Sequence, residues 1–296
     1  MQNLTEIIGN TALLEVEKNI FSKLEFQNPG GSVKDRAALV MIQQAENAGE
    51  LRSGDLIVEA TSGNIGISLA WIGIARGYRV KLVMPESMSV ERRKLIQQFG
   101  AELILTSAAG GMPVAAEKAK EIVETEGGWM PNQFENPANP EIHFQTTGPE
   151  IWKQMNGEVD FFVAGVGSGG TVSGVGKFLK SQNSQVKIIA IEPVESAVIS
   201  GGEKGAHAIQ GIGAGFVPKN FERGVVDEVR KVSSQTAIEA AKELANKKGI
   251  SVGISSGANF AIAREIAKEN PNKKIATVFC DGGERYLSTD LFANLD

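Results

Sequence analysis

The sequence predicts an α/β fold of two lobes, each a mostly parallel twisted sheet flanked by helices. Three observations carry that expectation. Short runs of β-branched and apolar residues alternate with helical patterns from Leu56 onward, the order of a parallel sheet covered by crossover helices. At 296 residues the chain is long for one core and short for two independent domains, so two lobes sharing one continuous fold fit best. Glycines and hydroxyl residues collect where strands give way to helices, which is where such sheets bind ligands.

Residues 56–60 read as a buried strand, followed by the turn Thr61-Ser62-Gly63-Asn64 and a helix to Arg76 with Gly77 as its stop. Residues 80–84 form the next strand; Ser89 then caps a helix that runs through Phe99 and closes at Gly100, and residues 102–106 return as a third strand. A second series has strands at 161–164, 187–191 and 275–280 and helices at 171–180 and 234–247, with Cys280 read as a buried strand residue. Between the series, Pro131, Pro137, Pro140 and Pro149 crowd the segment 127–149 and predict an irregular crossing between lobes.

Composition narrows the function classes. Hydrophobic residues at 42% and charged residues at 22% are globular values, and no apolar run approaches the roughly 20 residues that span a bilayer, so no membrane partner is expected. A net charge of -5 argues against nucleic acid, which needs a basic surface. The lone Cys280 cannot form an internal disulfide and the first residues lack a basic-then-apolar leader, so the expected location is cytoplasmic. His143 and His207 are the only histidines and neither stands at ligand spacing from Cys280, so no metal site is expected.

Four loops carry the candidate chemistry. In Asn28-Pro29-Gly30-Gly31-Ser32-Val33-Lys34-Asp35-Arg36, Ser32 reads as an N-cap and Lys34 lies in the first helical turn. A cation there opposes the helix dipole, and the same field favours the neutral amine that forms a Schiff base and acts as a base. The bland alternative is a surface lysine compensated by Asp35. Thr61-Ser62-Gly63-Asn64-Ile65-Gly66 offers hydroxyl and backbone donors for a carboxylate, or is a plain capped turn. Gly165-Val166-Gly167-Ser168-Gly169-Gly170-Thr171 follows an apolar strand and suits a phosphate nest. It also satisfies the glycine spacing of a dinucleotide fingerprint, with Glu192 at a fitting distance, so a nicotinamide reading stays open on this loop alone. In Gly253-Ile254-Ser255-Ser256-Gly257-Ala258 either serine could be a simple helix cap.

In this order the runs N-P-G-G-S-V-K-D-R, T-S-G-N, G-S-G-G-T and G-I-S-S-G-A resemble the cysteine synthase (O-acetylserine sulfhydrylase) family of fold-type II pyridoxal-phosphate enzymes. The likeness extends through Ser89-Val90-Glu91-Arg92-Arg93, Thr146-Thr147-Gly148-Pro149-Glu150, Gln210-Gly211-Ile212-Gly213 and Glu284-Arg285-Tyr286-Leu287-Ser288. It implies pyridoxal 5'-phosphate as cofactor, joined to Lys34, with Asn64 at the ring oxygen and Gly167, Ser168, Gly169, Gly170 and Thr171 around the phosphate. Ser255 would face the pyridine nitrogen, and a hydroxyl there makes the cofactor a weaker electron sink than a carboxylate would. Thr61, Ser62, Gly63, Ile65 and Gln133 match the substrate-carboxylate positions, and Gly211 and Gly213 match a loop bordering the pocket. The family usually has threonine at position 65, so the resemblance implies a missing donor there and tighter amino-acid binding in Ile65→Thr. Ala12 stands where proline is usual.

The implied reaction forms L-cysteine and acetate from O-acetyl-L-serine and sulfide, with cystathionine β-synthase or cysteine desulfhydrase activity as the alternative. A homodimer is implied, and as a further partner the C-terminal tail of serine acetyltransferase; a regulator of that enzyme with impaired catalysis is the alternative of another class. The expected lobes are 35–140, smaller and mobile with the carboxylate loop, and 1–34 with 141–296, larger, with the phosphate loop and the serine at the pyridine nitrogen.

Overall fold

The computed structural model describes residues 4–293. Strands β1 (Leu13–Glu17) and β2 (Ile20–Leu24) form an antiparallel hairpin, and β3 (Leu56–Ala60), β4 (Arg79–Pro85) and β5 (Glu102–Thr106) form a parallel sheet of their own. Strands β6 (Phe161–Gly165), β7 (Lys187–Pro193), β8 (Glu228–Val232) and β9 (Ile275–Phe279) join the hairpin in a six-stranded sheet of order β1-β2-β9-β6-β7-β8. All pairings except the hairpin are parallel. The nine α-helices among the described residues are α1 (Lys34–Ala48), α2 (Asn64–Ala75), α3 (Val90–Gln98), α4 (Gly111–Glu126), α5 (Ala138–Ile142), α6 (Gly148–Gln154), α7 (Gly170–Gln182), α8 (Ser234–Lys248) and α9 (Ile254–Glu269).

Strand alternation explains why each sheet is covered on both faces. Ile57 and Leu82 pack with α1 and α2, whereas their neighbours Val58 and Val83 pack with α4. In the larger sheet Phe279 joins α8 and α9 on one face, and Val278 joins α7 on the other. Parallel pairing also collects the carboxyl ends of the strands at one edge. Leu24 lies opposite Phe279, and Val163 opposite Thr277, so the loops after β2, β6 and β9 emerge together.

The punctuation read from the sequence holds at Gly77 and Gly100, both with positive φ after their helices, and at Ser89, whose hydroxyl accepts from the Arg92 N–H. The segment 127–149 differs from expectation. From Ala138 it is helical through Gln154, as α5, a π-helical turn His143–Thr147 and α6. Pro140 stands in the first turn of α5, where a missing N–H costs nothing because no intrahelical acceptor awaits it, and Pro149 follows directly on the π-helical turn inside the continuous helical run. The polar strands β1 and β8 and helix α4 had no reading of their own.

Candidate active site

The strand ends surround a narrow cavity that opens to solvent, the place where open α/β sheets bind ligands. Lys34, Asn64, Gly167, Ser168, Gly169, Thr171, Gly211 and Ser255 line it. Four loops separated by up to 220 residues therefore meet at one place. Thr61, Ser62, Gly63, Ile65, Gln133, Gly170 and Gly213 do not line the cavity itself.

Lys34 is the first residue of α1, with Val33 and not Ser32 at the cap position, because the segment before the helix is stitched to the end of β9: Val33 N–H donates to the Cys280 carbonyl at 2.9 Å, and Ser32 bridges Asp281. Arg36, two residues on and buried, anchors the helix with hydrogen bonds to both Glu25 and Glu150. Asp35 does not compensate Lys34. Its carboxylate is buried and accepts from Gly30 N–H (2.6 Å), Ser68 Oγ (2.6 Å) and Trp71 Nε1 (3.0 Å). The Lys34 amine has no hydrogen bond or ion pair among the described residues. Burial holds its pKa below the ordinary lysine value, against the opposing charges of Cys280 and Asp281, so the environment favours the neutral, nucleophilic form.

On the far wall, α7 starts at Gly170 with Gly169 in the left-handed region (φ 84°) as its cap. Gly167 is packed so closely that a Cβ would lie 2.1 Å from the Gly211 carbonyl oxygen. The loop thus presents backbone N–H groups and a helix N-terminus to the cavity, a site for a dianion. Ser168 Oγ accepts from Asn139 Nδ2 at 2.8 Å, and Thr171 Oγ1 lies 3.3 Å from His143 Nε2. Burial pushes His143 down to about 3, so its ring is neutral and fixes Thr171 without adding charge. Glu192 is not free for a ribose: it is buried and accepts from the N–H groups of Ile199 and Ser200, which removes the structural support for the nicotinamide reading.

Asn64 is oriented by both ends of its amide. Nδ2 donates to Asp281 Oδ2 at 2.5 Å and Oδ1 accepts from Arg285 at 2.9 Å, leaving one amide hydrogen for a ligand. Ser255 is the second residue of α9, which is capped by Gly253, so neither serine is the cap. Ser256 Oγ instead accepts from Cys280 N–H. Cys280 itself is not a buried strand residue; it follows β9 and lines the cavity beside Lys34, its thiol pushed up to about 12 by burial. Asp281, Arg285 and the lining residue Asn259 were not singled out from sequence. Arg285 stood in a segment that carried the resemblance, but nothing local assigns it a role.

The loop after β3 sits beside the cavity. Thr61 Oγ1 accepts from Gly63 N–H at 3.0 Å; the Ser62 hydroxyl and the 7% exposed Gln133 amide make no hydrogen bond among the described residues. Ile65 departs from expectation. Its side chain is 1% exposed and belongs to the apolar cluster of α1 and α2, because position 65 at the start of α2 turns its Cβ inward toward that cluster and away from the cavity. Gly213 is held against Val166 and His207, behind Gly211. Glu59, just before the loop, is buried and accepts from Asn132 N–H at 3.2 Å; burial pushes its carboxyl up to about 7. Among the described residues, no group of His, Cys, Asp and Glu is placed to hold a metal ion.

An unpaired, neutral-leaning lysine facing a glycine cradle at the strand ends defines an α/β enzyme for a phosphorylated carbonyl ligand. The chain belongs to the pyridoxal-phosphate-dependent enzyme family, whose profile matches residues 4–281. It is 49% identical to the cysteine synthase of Staphylococcus aureus, over 99% of this chain and 97% of that one. Among solved structures it is similar to a cysteine synthase from Entamoeba histolytica (42% identity, TM-score 0.95, covering 100% of this chain and 92% of that one). It is also similar to an O-acetylserine-dependent cystathionine β-synthase from Helicobacter pylori (36% identity, TM-score 0.93, 99% of each). The residues present fit the cofactor: a free amine for the aldehyde, a glycine cradle that a single Cβ would fill for the phosphate, and a free amide hydrogen on Asn64 for the ring oxygen.

Proposed function

We propose that this protein is a cysteine synthase, forming L-cysteine and acetate from O-acetyl-L-serine and sulfide by β-replacement. The observation that carries the reading is the unpaired Lys34 amine, held below its ordinary pKa opposite the glycine cradle. Lys34, Asn64, Gly167, Ser168, Gly169, Gly170, Thr171 and Ser255 are the residues assigned to the cofactor. When bound, pyridoxal phosphate supplies the electron sink that lets the bond from the β-carbon to acetate break. Lys34 Nζ takes the α-proton and later returns it, after sulfide has bonded to the β-carbon. The donors of Thr61, Ser62 and Gln133 hold the α-carboxylate, with Gly63 and Ile65 contributing backbone only, and Gly211 and Gly213 border the pocket.

The alternative is cystathionine β-synthase activity, named for the H. pylori relative at 36% identity; the 49% identical cysteine synthase favours cysteine as product. We place the lobe boundaries at 34/35 and 140/141, supported by the separate sheets and by α1 packing with α2. The exposed side chains of Leu4, Ile7 and Leu14 support a homodimer, checked by light scattering. A cytoplasmic location and a serine acetyltransferase tail as partner belong to the same reading.

The test is the visible absorbance of the cofactor-loaded protein before and after O-acetylserine without sulfide, followed by product analysis with sulfide or homocysteine. A spectral change with O-acetylserine, and cysteine on adding sulfide, is expected. No response to O-acetylserine overturns the reading; cystathionine in preference to cysteine replaces it with the alternative.

A further inference from the structure

Arg92, in the first turn of α3, is 3% exposed and has no carboxylate partner. Its Nε is buried without any hydrogen-bond acceptor. A buried guanidinium normally sits in an ion pair, because leaving the charge uncompensated costs several kcal/mol. Here one nitrogen, Nη1, donates to the carbonyl of Ser62 at 3.4 Å and to Gln210 Oε1, and the guanidinium carbon stands 5.1 Å above the Tyr286 ring. The cation thus lies between the carboxylate loop of one lobe and the 210–213 loop of the other.

The Ser62 carbonyl and the Gly63 N–H belong to the same planar peptide group. A positive charge drawing on that oxygen makes the N–H a stronger donor. That N–H donates to Thr61 Oγ1 at 3.0 Å, and an oxygen that accepts a stronger bond gives up its own proton more readily to the next acceptor. The Thr61 hydroxyl proton has no acceptor among the described residues. The chain of polarisation therefore ends on a hydroxyl whose own proton is free to be donated.

We propose that Arg92 is a positioning residue for the substrate carboxylate, acting through the Ser62–Gly63 peptide on the Thr61 hydroxyl; this rests on the amino-acid substrate proposed above. It touches neither substrate nor cofactor. It also ties the loop to Gln210, so that the donors are set at one closure of the two lobes.

The experiment is a double-mutant cycle on cofactor-loaded protein, with Arg92→Met, Thr61→Val and the double variant titrated with O-acetylserine and, separately, with its uncharged carboxamide. Thr61→Val is expected to bind O-acetylserine about tenfold more weakly, the loss typical of a hydrogen bond to a charged group, and Arg92→Met about threefold more weakly, because a relayed bond is strengthened by only a fraction. The double variant is expected to be little weaker than Thr61→Val alone, carboxamide binding to change less than about twofold, and Arg92→Lys to recover part of the loss. Unchanged binding in Arg92→Met, additive losses, or equal loss for the carboxamide overturns the proposal. If Arg92→Met does not fold, the same cycle with Arg92→Lys decides. A wild type that ignores O-acetylserine but holds the cofactor overturns the substrate reading, and the proposal with it.

Discussion

The two sides of the cavity differ in how completely their polar groups are satisfied by the protein. On the cofactor side, Asn259 uses both ends of its amide, accepting from Gly165 N–H and donating to the Val278 carbonyl. Ser168 is held by Asn139, and Asn64 by Asp281 and Arg285. On the substrate side, the Ser62 hydroxyl, the Thr61 proton and the Gln133 amide make no hydrogen bond among the described residues, and Arg92 Nε is buried without one. The cofactor side also leaves two buried oxygens without a partner among the described residues, Asn139 Oδ1 and Asp281 Oδ1, although buried polar groups are rarely left unmatched in folded proteins. The first side is oriented mainly by internal bonds, and the second keeps its donors free for a ligand. Cofactor affinity should therefore depend on packing, and substrate choice on a few free donors.

The largest test of that contrast is Lys34→Ala, which removes the unpaired amine on the cofactor side. Turnover is expected to fall by at least about 10³-fold, as for loss of a covalent catalyst, with the thermal midpoint little changed because Lys34 has no partner to lose; steady-state assays and melting curves check both. Gly167→Ala attacks the packed wall. A Cβ 2.1 Å from the Gly211 oxygen forces the two loops apart at a cost of about 1–3 kcal/mol, so cofactor affinity measured by absorbance titration should fall about tenfold or more.

Glu59→Gln sharpens the contrast through pH. The carboxyl titrates near 7 in the folded chain against an ordinary value of 4.5. Between those values the folded state keeps a proton that the unfolded state has lost, so stability falls as pH rises through about 4.5 to 7. Melting curves at pH 5 and pH 8 should show a larger loss for the wild type than for Glu59→Gln, by roughly 1–3 kcal/mol; equal losses would contradict the assignment. The smallest effect is expected for Ile65→Thr. With the side chain in the apolar cluster, the change should cost about 1–2 kcal/mol of stability and leave O-acetylserine binding within about twofold, the reverse of what the sequence suggested.

What could be read from sequence was local punctuation. Glycines after helices, a serine cap and the glycine-rich turns announce themselves within a few residues, and they placed most strands and the four loops. What could not be read depends on partners far away in the chain. Asn64 is oriented by residues more than 200 positions later, and Cys280 faces the cavity because β9 ends one residue earlier than its apolar run suggests. Pro140 was read as a breaker, although a proline in a first turn is compatible with a helix. Ile65 shows the limit of motif matching: a loop position names a backbone location, while the direction of the side chain is decided by what packs beneath it.

The place of β9 in the sheet has a consequence for synthesis. It is the last strand in chain order among the described residues, yet it lies between β2 and β6, so the hairpin that leads into Lys34 has no sheet to join until residues 275–279 have left the ribosome. A nascent chain can fold its three-stranded lobe early, but the floor of the cavity forms only after β9 has emerged. A chain ending at residue 270 is therefore expected not to take up pyridoxal phosphate, and cofactor capture waits on the last strand of the sheet.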